Sequence, residues 1–109
     1  MKAIRFLGSA LHDLRAFPEA PRREVGYQLD KVQNGLNPSD WKPMHTVGKG
    51  VYEIRVRDET GAFRVLYVAK FAEAIYVLHC FQKKTQKTGK AEMDIAAKRF
   101  GDLLKERDL

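Results

Sequence analysis

Side chains in residues 52–57 alternate between apolar and charged at every position, reading Tyr-Glu-Ile-Arg-Val-Arg. Because successive side chains of a β-strand point to opposite faces, this period of two predicts a strand with two unlike faces. One face carries Tyr52, Ile54 and Val56, and the other carries Glu53, Arg55 and Arg57. The chain is therefore expected to build a sheet that is apolar on one side of this strand and charged on the other.

Two more strands are predicted downstream, at residues 63–70 and 74–82, so that three consecutive strands form an antiparallel meander. Residues 58–62, Asp-Glu-Thr-Gly-Ala, are typical of a hairpin loop with a glycine near its end. Because a slip of one residue turns every side chain of a strand to the other face, the length of this loop decides whether Arg55 and Arg64 share a face. The pattern leaves that question open.

The segment before the meander predicts one strand and two helices. A short strand at residues 2–7 precedes a helix that begins after Ser9. Pro18 ends this helix and can occupy the first turn of the next one. The second helix is expected to stop at Asn34-Gly35, since both residues tolerate the left-handed backbone conformation.

A connection and a last helix complete the chain. Residues 35–50 contain three glycines and two prolines, which indicates a connecting region with a short strand at 44–47. The last helix is expected to be capped by Thr88. Its apolar stripe is formed by Met93, Ala96, Ala97, Phe100, Leu103 and Leu104.

The order strand, helix, helix, three antiparallel strands, helix predicts an α+β fold with its helices packed on one side of the sheet. With 109 residues, 44% of them hydrophobic, residues 1–109 are expected to form a single domain around one core. The other side of the sheet, or its end, is expected to stay available for a ligand.

The charge balance favours a polyanionic partner. The formal net charge is +6, and residues 79–90 contain four lysines and no acidic residue. Such an excess suits nucleic acid, an acidic protein or an anionic membrane surface, and does not choose among them. No apolar run approaches the roughly 18 residues that cross a bilayer, and the first residues are too charged for a secretory signal. With Cys80 as the one cysteine, a reducing, cytoplasmic location is expected, without a membrane.

Metal and cofactor chemistry find little support in the sequence. His12, His45 and His79 are far apart, and a single cysteine gives no zinc pattern. No phosphate-binding glycine loop is present, and Cys80 is better read as a packing residue than as a nucleophile. We therefore expect no metal and no cofactor.

Cationic strand residues remain as the candidates for chemistry. Metal-free RNA cleavage needs a group that takes the 2′-hydroxyl proton, cations that hold the phosphate as it gains charge, and a proton for the leaving oxygen. Arginine, lysine and histidine supply these functions, and an aromatic ring can stack on an unpaired base. The candidates on the hairpin and the last strand are Arg55, Arg57, Arg64, His79, Phe81, Lys83 and Lys84.

Each candidate also has an ordinary structural interpretation. Arg55, Arg57 and Arg64 can form a solvated strand face, and His79 can be a core histidine with a backbone partner. The lysines of residues 83–90 can be a soluble loop.

Three segments, at residues 50–57, 63–68 and 75–88, together resemble a known family. The most specific piece is His-x-Phe-x-Lys-Lys-Thr-Gln-Lys-Thr at 79–88, with Tyr-Glu-Ile-Arg-x-Arg upstream. In this order the segments resemble the phage-derived HigB-like branch of the RelE/ParE toxin superfamily. The branch usually has a proline where this chain has Gly89, so the last helix is expected to begin more loosely.

The resemblance implies a RelE-like fold and a toxin of a type II toxin–antitoxin system that cleaves messenger RNA on the ribosome without a metal. It also implies a cognate helix-turn-helix antitoxin, through which alone the chain would meet promoter DNA. By position, Arg64 and Lys84 would hold phosphate and transition-state charge, Arg55 would place the substrate, and His79 would transfer a proton. Lys83 joins this catalytic set. The residues expected to bind RNA are Arg57, Phe81, Lys87 and Lys90.

Two other functions fit the same resemblance. ParE-like members of the superfamily inhibit DNA gyrase and cleave no RNA. A catalytically inactive RNA-binding phage accessory protein would use the same basic face.

Overall fold

A computed structural model describes residues 1–84 and 88–108 of the chain, and within them it contains a five-stranded sheet and three helices. The motif at residues 79–88 is therefore seen in part, because 85–87 lie outside the described residues. The elements are β1 (Ala3–Phe6), α1 (Ala10–Arg15), α2 (Glu19–Gln33), β2 (Trp41–Pro43), β3 (Val51–Asp58), β4 (Gly61–Val68), β5 (Ala74–Lys83) and α3 (Lys90–Arg107).

The sheet has the order β1-β5-β4-β3-β2. The predicted antiparallel meander of β3, β4 and β5 is confirmed. β1 adds to it in parallel beside β5, and β2 adds antiparallel beside β3, so the sheet is mixed. The α+β class is thus confirmed. The sheet has five strands, because β1 and β2 extend the predicted three-stranded meander at its two edges.

The short strand predicted at residues 44–47 is wrong, because the strand lies at Trp41–Pro43. The backbone amide of Met44 still donates to the carbonyl of Val51 at 2.8 Å, and a tight turn follows in which the amide of Val47 donates to the carbonyl of Met44 at 3.0 Å. Met44 and Val47 are both buried, which explains why these apolar residues suggested a strand.

The hairpin between β3 and β4 is shorter than predicted. β3 continues to Asp58 and β4 begins at Gly61, so a two-residue loop replaces the predicted five-residue one. Gly61 has a φ of +141°, a conformation that glycine adopts at no steric cost. The resulting register pairs Arg55 directly with Arg64, so the two arginines share a face.

The helices lie on both faces of the sheet, which corrects the expectation that they share one side. α1 and α2 pack on the face that carries Ile54, Val56 and Val65, whereas α3 packs on the opposite face against Leu66 and Leu78. The physical reason is that β4 and β5 are central strands with apolar side chains on both faces, so that each face needs a cover. α3 therefore covers part of the face that also carries the charges.

The start of α3 also differs from the prediction. Gly89, not Thr88, occupies the position before the first helical residue. Thr88 instead hydrogen-bonds to a side chain of the sheet, as described below.

We predict that α3 is held mainly by its apolar stripe. Phe100 is 5% exposed, whereas Leu104 on the same helix is 36% exposed. Phe100→Ala should lower the free energy of unfolding by about 3–5 kcal/mol, because it leaves a cavity against the sheet. The matched control Leu104→Ala should lower it by less than about 1 kcal/mol. Urea unfolding followed by circular dichroism measures both, and equal losses would contradict this account of α3.

Candidate nucleic-acid interface

The sheet face beneath α3 brings most of the predicted site residues together. Arg55 is paired with Arg64, and Arg64 in turn with Phe81, across three neighbouring strands. His79 is paired with Leu66 and lies one row away on the same face. Lys83, paired with Ala62, lies one row away in the other direction. His79, Phe81 and Lys83, at alternate positions of β5, therefore project from one face of the sheet.

An irregularity in β5 fixes where His79 points. Leu66 pairs with His79 but the next residue, Tyr67, pairs with Val77, so Leu78 is an extra residue in the strand. Such a bulge lets two successive side chains lie on the same side. Leu78 packs in the cluster beneath α3, and His79 contacts the same helix.

Arg64 is buried in an ion pair that the sequence analysis did not anticipate. Its side chain is 2% exposed and that of Glu53 is 1% exposed, with 3.5 Å between Nε of Arg64 and Oε1 of Glu53. Nη1 of Arg64 also donates to the carbonyl of Phe63 at 3.0 Å. Burial lowers the pKa of Arg64, and the Glu53 carboxylate acts in the opposite direction. In this arrangement the Arg64 charge is largely compensated by Glu53 and withdrawn from solvent.

The second oxygen of Glu53 binds the segment that leads into α3. Oγ1 of Thr88 donates to Oε2 of Glu53 at 2.7 Å. Glu53 thus lies between the β4 arginine and the start of the last helix. Its place in the alternating strand predicted its face, but no sequence signal indicated that it would be buried.

His79 is also buried, at 6% exposure. Its Nε2 lies 2.6 Å from Oε2 of Glu92, and its Nδ1 lies 3.5 Å from Nη1 of Arg99, both on α3. Arg99 further donates to the carbonyl of Leu78 at 2.9 Å and to Oγ of Ser9 at 3.0 Å. Both ring nitrogens of His79 therefore face α3, and the residue connects the sheet to the helix.

Phe81 is not open to a nucleobase in this arrangement. It is 8% exposed and belongs to the apolar cluster beneath α3. Its ring is stacked on that of His79, with 5.1 Å between the centroids and 23° between the planes. The expected contact of Phe81 with RNA would require α3 to move.

An open groove of about 490 Å³ lies beside this covered area, between β2, the turn after it and the start of α3. Two predicted site residues, Arg55 and Lys83, line it. Lys42 and His45 line it too, and sequence reasoning missed both of them. Lys42 lies on β2, whereas the sequence predicts the strand at residues 44–47, and His45 is considered there only as a metal ligand.

The groove is electropositive. The Arg55 side chain is 35% exposed, and the carboxylate of Asp40 is 4.0 Å from its Nη1. Partial burial is the largest cause that lowers the pKa of Lys83, and repulsion from Arg64 comes next. Arg55 and Lys42 lower this pKa further, whereas the Glu53 carboxylate raises it. Lys42, Arg55 and Lys83 thus line one groove, and the shared sign of their charges favours an anion there.

The remaining predicted residues lie around the groove or outside it. Arg57 is exposed and lines a small cavity of about 240 Å³ together with Arg55 and Arg64. Lys84 is exposed directly after β5, and Lys90 is exposed at the first turn of α3, where it pairs with Asp94 at 2.7 Å. Lys87 lies outside the described residues.

Two further findings concern residues 1–84 and 88–108 as a whole. Within them, no three histidine, cysteine, aspartate or glutamate side chains are grouped as metal ligands would be. None of the helices there combines the length and the apolar character that a membrane span requires.

Cys80 lies on the face away from His79, among the side chains that pack against α1 and α2. Burial raises the pKa of its thiol to about 12, with Asp13 contributing. The prediction that Cys80 is a buried packing residue is confirmed.

Comparison with known protein families finds that residues 12–101, which are 90 of the 109, match the family model described as Phage derived protein Gp49-like (DUF891). No curated protein matches the chain. The matched range begins in α1 and ends in α3, so it contains β2 to β5 and the whole groove.

We predict that the Glu53–Arg64 pair is required for stability. Glu53→Gln removes the negative charge and leaves the Arg64 guanidinium buried without an anion, which should cost about 3–5 kcal/mol of unfolding free energy. The exposed Glu59→Gln is the matched control and should change it by less than about 0.5 kcal/mol. Adding Arg64→Met to Glu53→Gln should recover part of the loss, and strictly additive losses would show that the two side chains do not interact.

We also predict that the Cys80 thiol is unreactive in the folded protein. Since only the thiolate is nucleophilic, a pKa of about 12 leaves almost none of it at pH 8. Alkylation by iodoacetamide should therefore be at least about a hundredfold slower in buffer than in denaturant, as measured by mass spectrometry. Equal rates in the two conditions would contradict the burial of Cys80.

Proposed function

The chain belongs to the phage-derived Gp49-like family, a family known as RelE/HigB-like toxins of toxin–antitoxin systems, and from this we propose that it is a toxin that cleaves messenger RNA on the ribosome. The family supports the toxin part of this proposal. The endoribonuclease part is supported by the electropositive groove beside α3, which is the single observation that carries it.

The groove suits a phosphodiester of single-stranded RNA. Arg55 and Lys83 approach it from the sheet and Lys42 from the edge strand, so that three cations can surround one phosphate. Its volume of about 490 Å³ lies within the range of about 300–1,000 Å³ that is usual for small-ligand sites. In RNA cleavage the phosphate gains negative charge as the 2′-oxygen attacks it, and cations held in place stabilise that charge more in the transition state than before it.

The predicted roles divide between the open groove and the covered face. Arg55 and Lys83 are the first contacts of the RNA, and the exposed Lys84 and Arg57 extend the cationic surface beyond them. Arg64 does not contact the RNA in this arrangement, because it is buried beside Arg55 and paired with Glu53. Its role is to support the position of Arg55 in the sheet. No metal enters this mechanism, because the cations of the chain stabilise the phosphate.

A second candidate function is RNA binding without cleavage. One observation favours it: the predicted proton-transfer residue His79 and the predicted phosphate ligand Arg64 are both withdrawn from solvent. Inhibition of gyrase is a third outcome that the superfamily allows, and the experiment below distinguishes all three.

The proposal implies partners and a place of action. Translating ribosomes carry the substrate, so the toxin acts in the cytoplasm. A helix-turn-helix antitoxin is proposed as its cognate partner, and promoter DNA is reached through that antitoxin alone. An acidic segment of the antitoxin would complement the cations of the groove, and the association would then slow as salt increases.

We predict that loss of the groove cations abolishes cleavage. In a translating bacterial extract, wild-type protein should cut a defined message at positions detected by primer extension. Arg55→Ala with Lys83→Ala should reduce the rate of cutting by at least about a hundredfold, because two phosphate contacts are lost. The matched control is Arg23→Ala with Lys98→Ala, which removes two cations that are exposed on α2 and α3 and should leave the rate within about twofold.

The outcomes separate the candidate functions. Intact messages together with blocked supercoiling by purified gyrase would favour the gyrase reading. Tight RNA binding without cuts, weakening steeply with salt, would favour the binding module. Loss of cutting in the control variant to the same degree would show that net charge matters and the groove does not.

A further inference from the structure

His45 lies in a tight turn that holds its side chain outward. The residue before the turn, Met44, and the residue at its end, Val47, are both buried in the cluster beneath α3. Backbone hydrogen bonds tie Met44 to Val51 and Val47 to Met44, and Oγ1 of Thr46 lies 3.4 Å from Sδ of Met93 on α3. His45 is exposed between these anchors and lines the cationic groove.

The three histidines of the chain have different surroundings. Both ring nitrogens of His79 face residues of α3, so that no substrate can reach them without a movement of this helix. His12 is exposed on α1, whose side chains pack on the opposite face of the sheet. Among the residues that line the groove, His45 is the one with an imidazole ring, in which one nitrogen can accept a proton and the other can donate one.

We propose that His45 is the general base of the RNA cleavage and that Lys83 is its general acid, an inference that rests on the function proposed above. His45 replaces the buried His79 in the proton-transfer role that the sequence suggested. The ligand of this site is a single-stranded RNA whose 2′-hydroxyl reaches His45 while the adjacent phosphate lies among Lys42, Arg55 and Lys83.

The step balances within the RNA and these two side chains. The neutral imidazole of His45 takes the 2′-hydroxyl proton as the 2′-oxygen forms a bond to phosphorus. The bond between phosphorus and the 5′-oxygen breaks, and that oxygen takes a proton from the Lys83 ammonium. The products are a 2′,3′-cyclic phosphate and a 5′-hydroxyl, and solvent returns the two side chains to their starting protonation states.

The surroundings of His45 suit this division of roles. The charged side chains that line the groove together with His45 are Lys42 from β2, Arg55 from β3 and Lys83 from β5. The nearby carboxylates are Asp40, 4.0 Å from Arg55, and Glu53, which is paired with Arg64 and also acts on Lys83. Thr88 and Met93 line the groove from the α3 side and carry no charge. The lowered pKa of Lys83, caused by partial burial and by the neighbouring Arg64, makes its ammonium a better proton donor.

The test measures single-turnover cleavage of an end-labelled message on purified ribosomes, first with wild-type protein. His45→Gly should cut at least about a hundredfold more slowly, the typical loss for a proton-transfer residue. Added imidazole should restore a large part of the rate, because the groove is open to solvent.

The controls separate the inference from the function on which it rests. His12→Gly should cut at the wild-type rate with no effect of imidazole, and circular dichroism should show all variants folded. A wild-type protein that does not cut would overturn the proposed function. If the wild-type protein cuts, two results would overturn the role of His45: a His45→Gly variant that is equally active, or one that is inactive and is not restored by imidazole.

Discussion

The ion pair between Arg64 and Glu53 is the interaction on which the rest of the charged face depends. Two opposite charges at 2% and 1% exposure lie in the middle of a sheet, where either one alone would cost several kcal/mol to bury. Glu53 has a second oxygen to satisfy, and Thr88 donates to it at 2.7 Å. The pair and its hydrogen bond to Thr88 thereby connect β3 and β4 to a residue two positions before the start of α3.

The polar contacts of α3 continue from that starting point. Glu92 meets His79, Arg99 reaches Leu78 and Ser9, and Arg107 pairs with Glu73 near the end of the helix. The apolar side chains of α3, with Phe100 among them, pack against the central strands. α3 is therefore both a cover for the sheet and one wall of the groove, whose lining includes Thr88 and Met93.

This double role divides the cationic residues into two groups. Arg64 is buried in its pair with Glu53 and His79 contacts α3, whereas Arg55 and Lys83 line the groove at the edge of this helix, beside Lys42 and His45. A substrate phosphate is more readily bound by the second group, because these side chains line an open groove, whereas Arg64 and His79 are buried. The proposed chemistry is accordingly placed at the edge of α3, where RNA has access without a change of fold.

Local pattern was enough to predict the strand period, the meander, the helix at Glu19–Gln33, the apolar stripe of α3 and the burial of Cys80, because each depends on neighbours in sequence. Only the tertiary structure decided that Arg55 faces Arg64, that β5 has an extra residue at Leu78, that β1 joins the sheet in parallel, and that α3 covers the charged face. Glu53 and His45 gain their importance in the same way. These features arise from contacts between residues far apart in the chain, and a one-residue change of turn or register reverses them without altering the local pattern.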